Sequence, residues 1–177
     1  LGMPVVFAID RAGIVGNDGE THQGTFDISF LRFLPNMIVF APRDNETLDL
    51  ALKFSYTLDK PCALRYPRGA FTPSNFEAKP FELGKAQLLK HGSSNKLLIG
   101  YGAGVGRAYL TESLHEEDIA ILDLRFVKPL DKETLKELAT KYDDWYVFSD
   151  SQKQGGVISA ILEFLNEEKI CVTLTSF

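Results

Sequence analysis

The sequence predicts an α/β fold: two mostly parallel sheets with flanking helices, the first domain incomplete. Three observations predict it. Short apolar, β-branched runs alternate with stretches of helical periodicity along nearly the whole chain, the signature of parallel strands covered by helices. A non-periodic stretch from Ala70 to Pro80, with two prolines, Thr, Ser and Asn, divides that alternation and places domains at 1–75 and 76–177. The chain also opens almost inside a strand, LGMPVVFAID, without a basic n-region or cleavage site. That start predicts a piece cut from a longer polypeptide.

In the first domain, residues 4–10 (PVVFAID) form a continuous, short, β-branched run and predict a buried parallel strand. Phe26, Phe30, Leu31 and Leu34 recur at helical spacing and stop at Pro35. Residues 37–42 predict a second strand. Asp44 is placed to cap a helix whose inner face is Leu48, Ala51, Leu52 and Tyr56. Residues 61–67 (PCALRYP) predict a third strand, followed at once by Arg68 and Gly69.

Past the divide, residues 81–90 read as extended. Strands are predicted at 96–101, 119–126, 145–149 and 171–175, with helices at 105–115, 132–142 and 157–166. Residues 81–177 are expected to fold alone. Missing strands in the first domain predict loose packing along an uncovered edge.

Composition narrows the function classes. With 19 basic and 24 acidic residues the net charge is −5, which leaves no electrostatic footprint for nucleic acid. No apolar run approaches the ~18 residues of a membrane span. Cys62 and Cys171 lie far apart in strand-like runs, without CxxC or metal-ligand spacing, and predict buried, reduced thiols in a cytoplasmic protein. The basic residues are unevenly spread. Residues 1–75 hold five Arg and two Lys, residues 76–177 two Arg and ten Lys. Because Arg offers a planar fork suited to phosphate and carboxylate, the first domain is the expected anion binder.

The densest chemistry lies in AIDRAGIVGNDGETHQG (8–24), where Asp10, Arg11, Asp18, Glu20 and His22 fall on a glycine-punctuated loop leaving a strand. Open α/β sheets place ligand sites at such ends. Arg11 and Arg68 each follow the end of a predicted parallel strand, so guanidiniums 57 positions apart could converge on a phosphate. The alternative is that Arg11 pairs with a local carboxylate while Arg65 or Arg68 covers a strand end. Arg65 points away from Tyr66, so one of this Arg pair suffices for the site.

Asp18 and His22, four apart, suit proton transfer or a grip on substrate hydroxyls. Their alternative is an Asx turn with an exposed His. His91 and His115 are expected on the surface. Gly100, Gly102, Gly104 and Gly106 read G-x-G-x-G, which fits a tight strand-to-helix turn better than the dinucleotide fingerprint. The run Asp123 to Asp131 (DLRFVKPLD) is either a site or a framework element.

Three motifs in this order and spacing, DRAGIVGNDGETHQG with its continuation to DNE, RYPRG, and DLRFVKPLD, resemble the 1-deoxy-D-xylulose-5-phosphate synthase family of the transketolase superfamily. The resemblance covers essentially the whole chain. It implies a homodimeric, thiamine diphosphate- and Mg2+-dependent transferase that condenses pyruvate with glyceraldehyde 3-phosphate and releases carbon dioxide. It implies phosphate binding by Arg11 and Arg68, and substrate-contacting, catalytic roles for Asp18 and His22. Residues 1–75 then correspond to the later half of a pyrimidine-binding domain and 76–177 to a transketolase C-terminal domain.

The family's diphosphate and magnesium motif and its cofactor-activating glutamate have no counterpart here. No cofactor or metal ligand is therefore expected in this chain, and the 177 residues alone are expected to be inactive. One departure is Ser149-Asp150-Ser151-Gln152, where relatives carry a TxEE-like run. Competing expectations are a transketolase, a pyruvate dehydrogenase-type β chain, and a non-catalytic dimerisation or regulatory module.

Overall fold

The computed structural model describes residues 2–177. The first sheet holds β1 (Val6–Ile9), β2 (Ile38–Phe40) and β3 (Cys62–Arg65), with α1 (Asp27–Phe33) and α2 (Asn45–Ser55) between them. The second holds β4 (Gln87–Lys90), β5 (Lys96–Gly100), β6 (Ala120–Asp123), β8 (Asp144–Phe148) and β9 (Thr173–Ser176). Its helices are α3 (Gly104–Ser113), α4 (Lys132–Ala139) and α5 (Val157–Glu168). One strand crosses over: β7 (Phe126–Lys128) follows β6 in sequence but pairs with β2.

The strand orders are β1-β3-β2-β7 and β4-β6-β5-β8-β9. Pairing is parallel except at the β2/β7 and β4/β6 ladders, so both sheets are the mostly parallel α/β kind expected.

The predicted strand over 119–126 is thus two strands in two sheets. The break is at Leu124-Arg125, where Arg125 takes a left-handed backbone (φ 54°) that turns the chain out of the second sheet. Leu124 N–H still donates to the Gly100 carbonyl, while the Arg125 carbonyl already accepts from Ala41 N–H. Apolar residues flank Asp123 and Arg125 on both sides across ILDLRFV, so periodicity does not reveal this switch. Residues 81–177 consequently do not close on themselves, because they lend β7 to the first sheet.

β1 is parallel as predicted, but it is an exposed edge and not a buried strand. It pairs only with β3, and Val5 and Phe7 are 43% and 47% exposed. On α1 the inward residues are Ile28 and Leu31, whereas Phe26 and Phe30 face out. On α2 the inner stripe is Thr47, Ala51 and Ser55 with Leu48 and Phe54 beside it, and Tyr56 is exposed. Polar Thr47 and Ser55 fit the stripe because their hydroxyls bond Asp44 and the Leu52 carbonyl. Asp44 caps α2 through a reciprocal box with Thr47, and Asp131 caps α4.

The glycine series at 100–106 makes the expected tight turn into α3. A Cβ on Gly104 would stand 2.0 Å from the Phe148 carbonyl oxygen. The two sheets share a core around Val39, Leu97, Ile99, Leu122 and Trp145, and Phe40, Phe81 and Phe126 pack with Phe54 in a second cluster.

The cysteines differ. Cys62 is fully buried and burial pushes its thiol up to about 11, whereas Cys171 is exposed in the turn ahead of edge strand β9. The buried-thiol expectation fails for Cys171 because only one neighbouring strand covers β9. At neutral pH a thiol reagent should therefore modify Cys171 within minutes and Cys62 only on unfolding, a difference that timed alkylation and peptide mass analysis would read.

Candidate functional site

The loop after β1 is a closed structure. Gly13 and Gly24 exchange reciprocal backbone hydrogen bonds at 2.7 and 2.8 Å and form a neck, with a 3-10 turn at Glu20–His22 inside it. The neck demands glycine: a Cβ on Gly24 would lie 2.3 Å from the Arg11 carbonyl oxygen. Gln23 ties the loop interior by accepting from Val15 N–H and donating to the Val15 carbonyl. Arg11 takes a left-handed conformation (φ 58°) with its N–H on the Asp10 carboxylate, which turns its side chain into the loop.

Arg11 and Arg68 do converge. Arg11 Nη1 lies 2.6 Å from Asp18 Oδ2, and Arg68 Nη1 bonds the other oxygen, Oδ1. The Asp18 side chain is 8% exposed, whereas the Arg11 and Arg68 side chains are 42% and 47% exposed. Burial acts to raise the Asp18 carboxyl. The hydrogen bonds and charges of Arg11 and Arg68 outweigh it and hold the group below the ordinary aspartate value. Beside Arg68 a cleft of about 320 Å3 is lined by the loop from Ile14 to Asn17 and by Gly69.

His22 stands apart from this cluster. It is exposed, and its Nδ1 lies 2.9 Å from the Thr21 hydroxyl. Both Asp18 oxygens are engaged by arginine, so the carboxylate does not orient the imidazole here. His91 and His115 lie on the surface.

Arg65, which the sequence assigned no partner, is buried. It pairs with Asp27 at 2.7 Å and reaches the Gly24 and Asp150 carbonyls. Its strand position beside Arg68 was visible in the sequence; the carboxylate awaiting it on α1 was not. Among the described residues, no group of three or more His, Cys, Asp and Glu is placed to hold a metal ion. Nor is any helix long and apolar enough to cross a membrane.

Comparison with known proteins places this arrangement. The transketolase pyrimidine-binding domain matches residues 2–73, and the transketolase C-terminal domain matches residues 84–176. The chain belongs to the transketolase family. The 1-deoxy-D-xylulose-5-phosphate synthase of Aliarcobacter butzleri is 72% identical over 178 residues, covering 100% of this chain and 30% of that protein. The synthases of Sulfurimonas denitrificans and Helicobacter pylori strain G27 are 60% and 55% identical. The chain thus spans about 30% of the length of these curated relatives.

Among solved structures, a split-gene transketolase described as an inactive β4 tetramer superposes with a TM-score of 0.84 at 27% identity. It is covered over 97% of this chain and 56% of its own. A Campylobacter jejuni transketolase superposes with a TM-score of 0.64 at 19% identity, a likeness of fold, over 97% of this chain and 26% of its own.

The depressed Asp18 carboxyl carries a pH signature. A lowered folded-state value contributes stability above the unfolded value and loses it as pH falls through the folded one. Acidification below pH 3.8, the ordinary aspartate value, should therefore release Arg11 and Arg68 and speed amide exchange in residues 13–24. Asp18→Asn should show that fast exchange already at pH 7.

Proposed function

We propose that this chain forms the phosphate-recognising side of a 1-deoxy-D-xylulose-5-phosphate synthase. That enzyme joins pyruvate and glyceraldehyde 3-phosphate to give carbon dioxide and 1-deoxy-D-xylulose 5-phosphate. The observation that carries the reading is the convergence of Arg11 and Arg68 on one carboxylate. Two half-exposed arginine side chains whose guanidiniums meet on a single anion, next to an open cleft, suit a phosphate monoester. Arg11 and Arg68 are proposed to bind the acceptor phosphate after Asp18 yields its place. His22, free of Asp18 and facing solvent, is proposed to contact the acceptor's hydroxyls or carbonyl oxygen.

The proposed division at residues 75 and 76 falls between the two matched stretches, apart from β7. Thiamine diphosphate and Mg2+ are proposed cofactors of the longer protein. Among the described residues no group of three or more His, Cys, Asp and Glu is placed to hold the metal. The same reading proposes a cytoplasmic homodimer whose 177-residue portion is inactive alone. The high identity to named synthases favours it over a pyruvate dehydrogenase-type chain, whose acceptor carries no phosphate for the arginine pair.

Carbon dioxide release from pyruvate by the full-length protein, with thiamine diphosphate and magnesium, tests the reading. Release should rise on adding glyceraldehyde 3-phosphate. Arg11→Ala or Arg68→Ala should raise the KM for the aldehyde about 10- to 100-fold, as loss of one charged hydrogen bond implies, while leaving the KM for pyruvate within about twofold. Ketol transfer between sugar phosphates without release from pyruvate would instead indicate a transketolase.

A further inference from the structure

Arg65 touches neither the cleft nor Asp18, yet it holds the loop that carries them. Its side chain is 4% exposed. Nε donates to Asp27 Oδ2 at 2.7 Å on α1, and Nη2 donates to the Gly24 carbonyl at 2.9 Å and the Asp150 carbonyl at 3.0 Å. Gly24 is half of the loop neck and lies against the Arg11 carbonyl. Asp150 lies in the second domain, just past β8. Its side chain packs on Gly13, the other half of the neck, and accepts from Arg107 Nη1 at 2.6 Å. Gln152 N–H donates to the Thr25 carbonyl at 3.0 Å, a second bond across the same seam. One planar guanidinium therefore joins β3, α1, the neck and the second domain.

We propose that Arg65 is a positioning residue for the anion site. It fixes the neck of loop 13–24, and with it the placement of Arg11 and Asp18 opposite Arg68. The second domain takes part in that placement through the Asp150 carbonyl. The functional consequence rests on the phosphate reading of Arg11 and Arg68; the positioning itself does not.

The chemistry of the contact makes it testable. A guanidinium presents donors in a rigid fork, so one side chain meets three acceptors in fixed directions. A lysine retains the charge opposite Asp27, but its single flexible ammonium cannot hold the same three. Arg65→Lys therefore separates charge from geometry.

The experiment is amide hydrogen exchange on the 177-residue chain, with titration by inorganic phosphate followed at the Arg11 and Arg68 side-chain N–H resonances. In Arg65→Lys the Gly13 and Gly24 amides should exchange about tenfold or more faster, with β5 and β8 amides unchanged, and phosphate should bind several-fold more weakly. Should the lysine variant not fold, Asp27→Asn with Arg65→Met removes both buried charges together and decides the matter by the same readout. Neck exchange equal to wild type in a folded variant, or rising only in step with β5 and β8, would overturn the proposal. Faster neck exchange with no phosphate response in the wild-type protein would uphold the positioning role and sink the phosphate reading.

Discussion

A buried carboxylate between two buried guanidiniums decides how the two halves of this molecule meet. Asp123, at the end of β6, is fully buried and lies 3.2 Å from Arg43 Nη1 and 3.6 Å from Arg125 Nε. Burial alone pushes the Asp123 carboxyl up, against the pull of Arg125 and Arg43. Charges this deep need pairing and hydrogen bonds, and both arginines have them, although the buried Nε of each makes no hydrogen bond. The surplus donors are used on the segment between the domains: Arg43 donates to the Phe76 and Glu77 carbonyls, and Arg125 to those of Lys79 and Pro80. Arg125 also lies 4.6 Å over the Phe81 ring. A segment without secondary structure thereby gains partners for carbonyls it could not pair itself.

This cluster sits where the chain leaves one sheet for the other. Arg125 pays for its left-handed backbone with these contacts, and β7 then completes the first sheet beside β2. Once β7 is shared, the sheets are held in one relation, and the turn after β8 comes to rest against the loop after β1. The seam of Arg65, Asp150 and Gly13 is a consequence of that packing. The run DLRFVKPLD accordingly serves the framework: Asp123, Arg125 and Lys128 bond across the joint between domains, and Asp131 caps α4.

The α/β class, the helix order, the Asp44 cap and the glycine turn into α3 were legible because each rests on local pattern. So was the meeting of Arg11 and Arg68, since both follow parallel strands whose ends share an edge. What escaped was decided by partners distant in sequence. The exposure of β1, the outward Phe26 and Phe30, and the exposed Cys171 depend on which strand has a neighbour, and periodicity does not specify neighbours. The sheet switch at Arg125 depends on the Lys79 and Pro80 carbonyls, and the Arg65–Asp27 pair on a carboxylate 38 positions away, partners that only the fold brings into contact.

On the proposed function, the occupant of the arginine pair matters most. Asp18 presents two oxygens to two guanidiniums, an arrangement a phosphate monoester reproduces with more charge and one more oxygen. The same local field that depresses the Asp18 carboxyl would attract an incoming dianion. Yet that dianion must displace a carboxylate tethered seven residues from one arginine, at high effective concentration. On the proposed reading, binding of the acceptor and movement of the loop are one event, because the arginines cannot serve both anions at once. Residue 18 then acts as an internal competitor that lowers affinity while keeping the two guanidiniums, which would otherwise repel, poised at the mouth of the cleft.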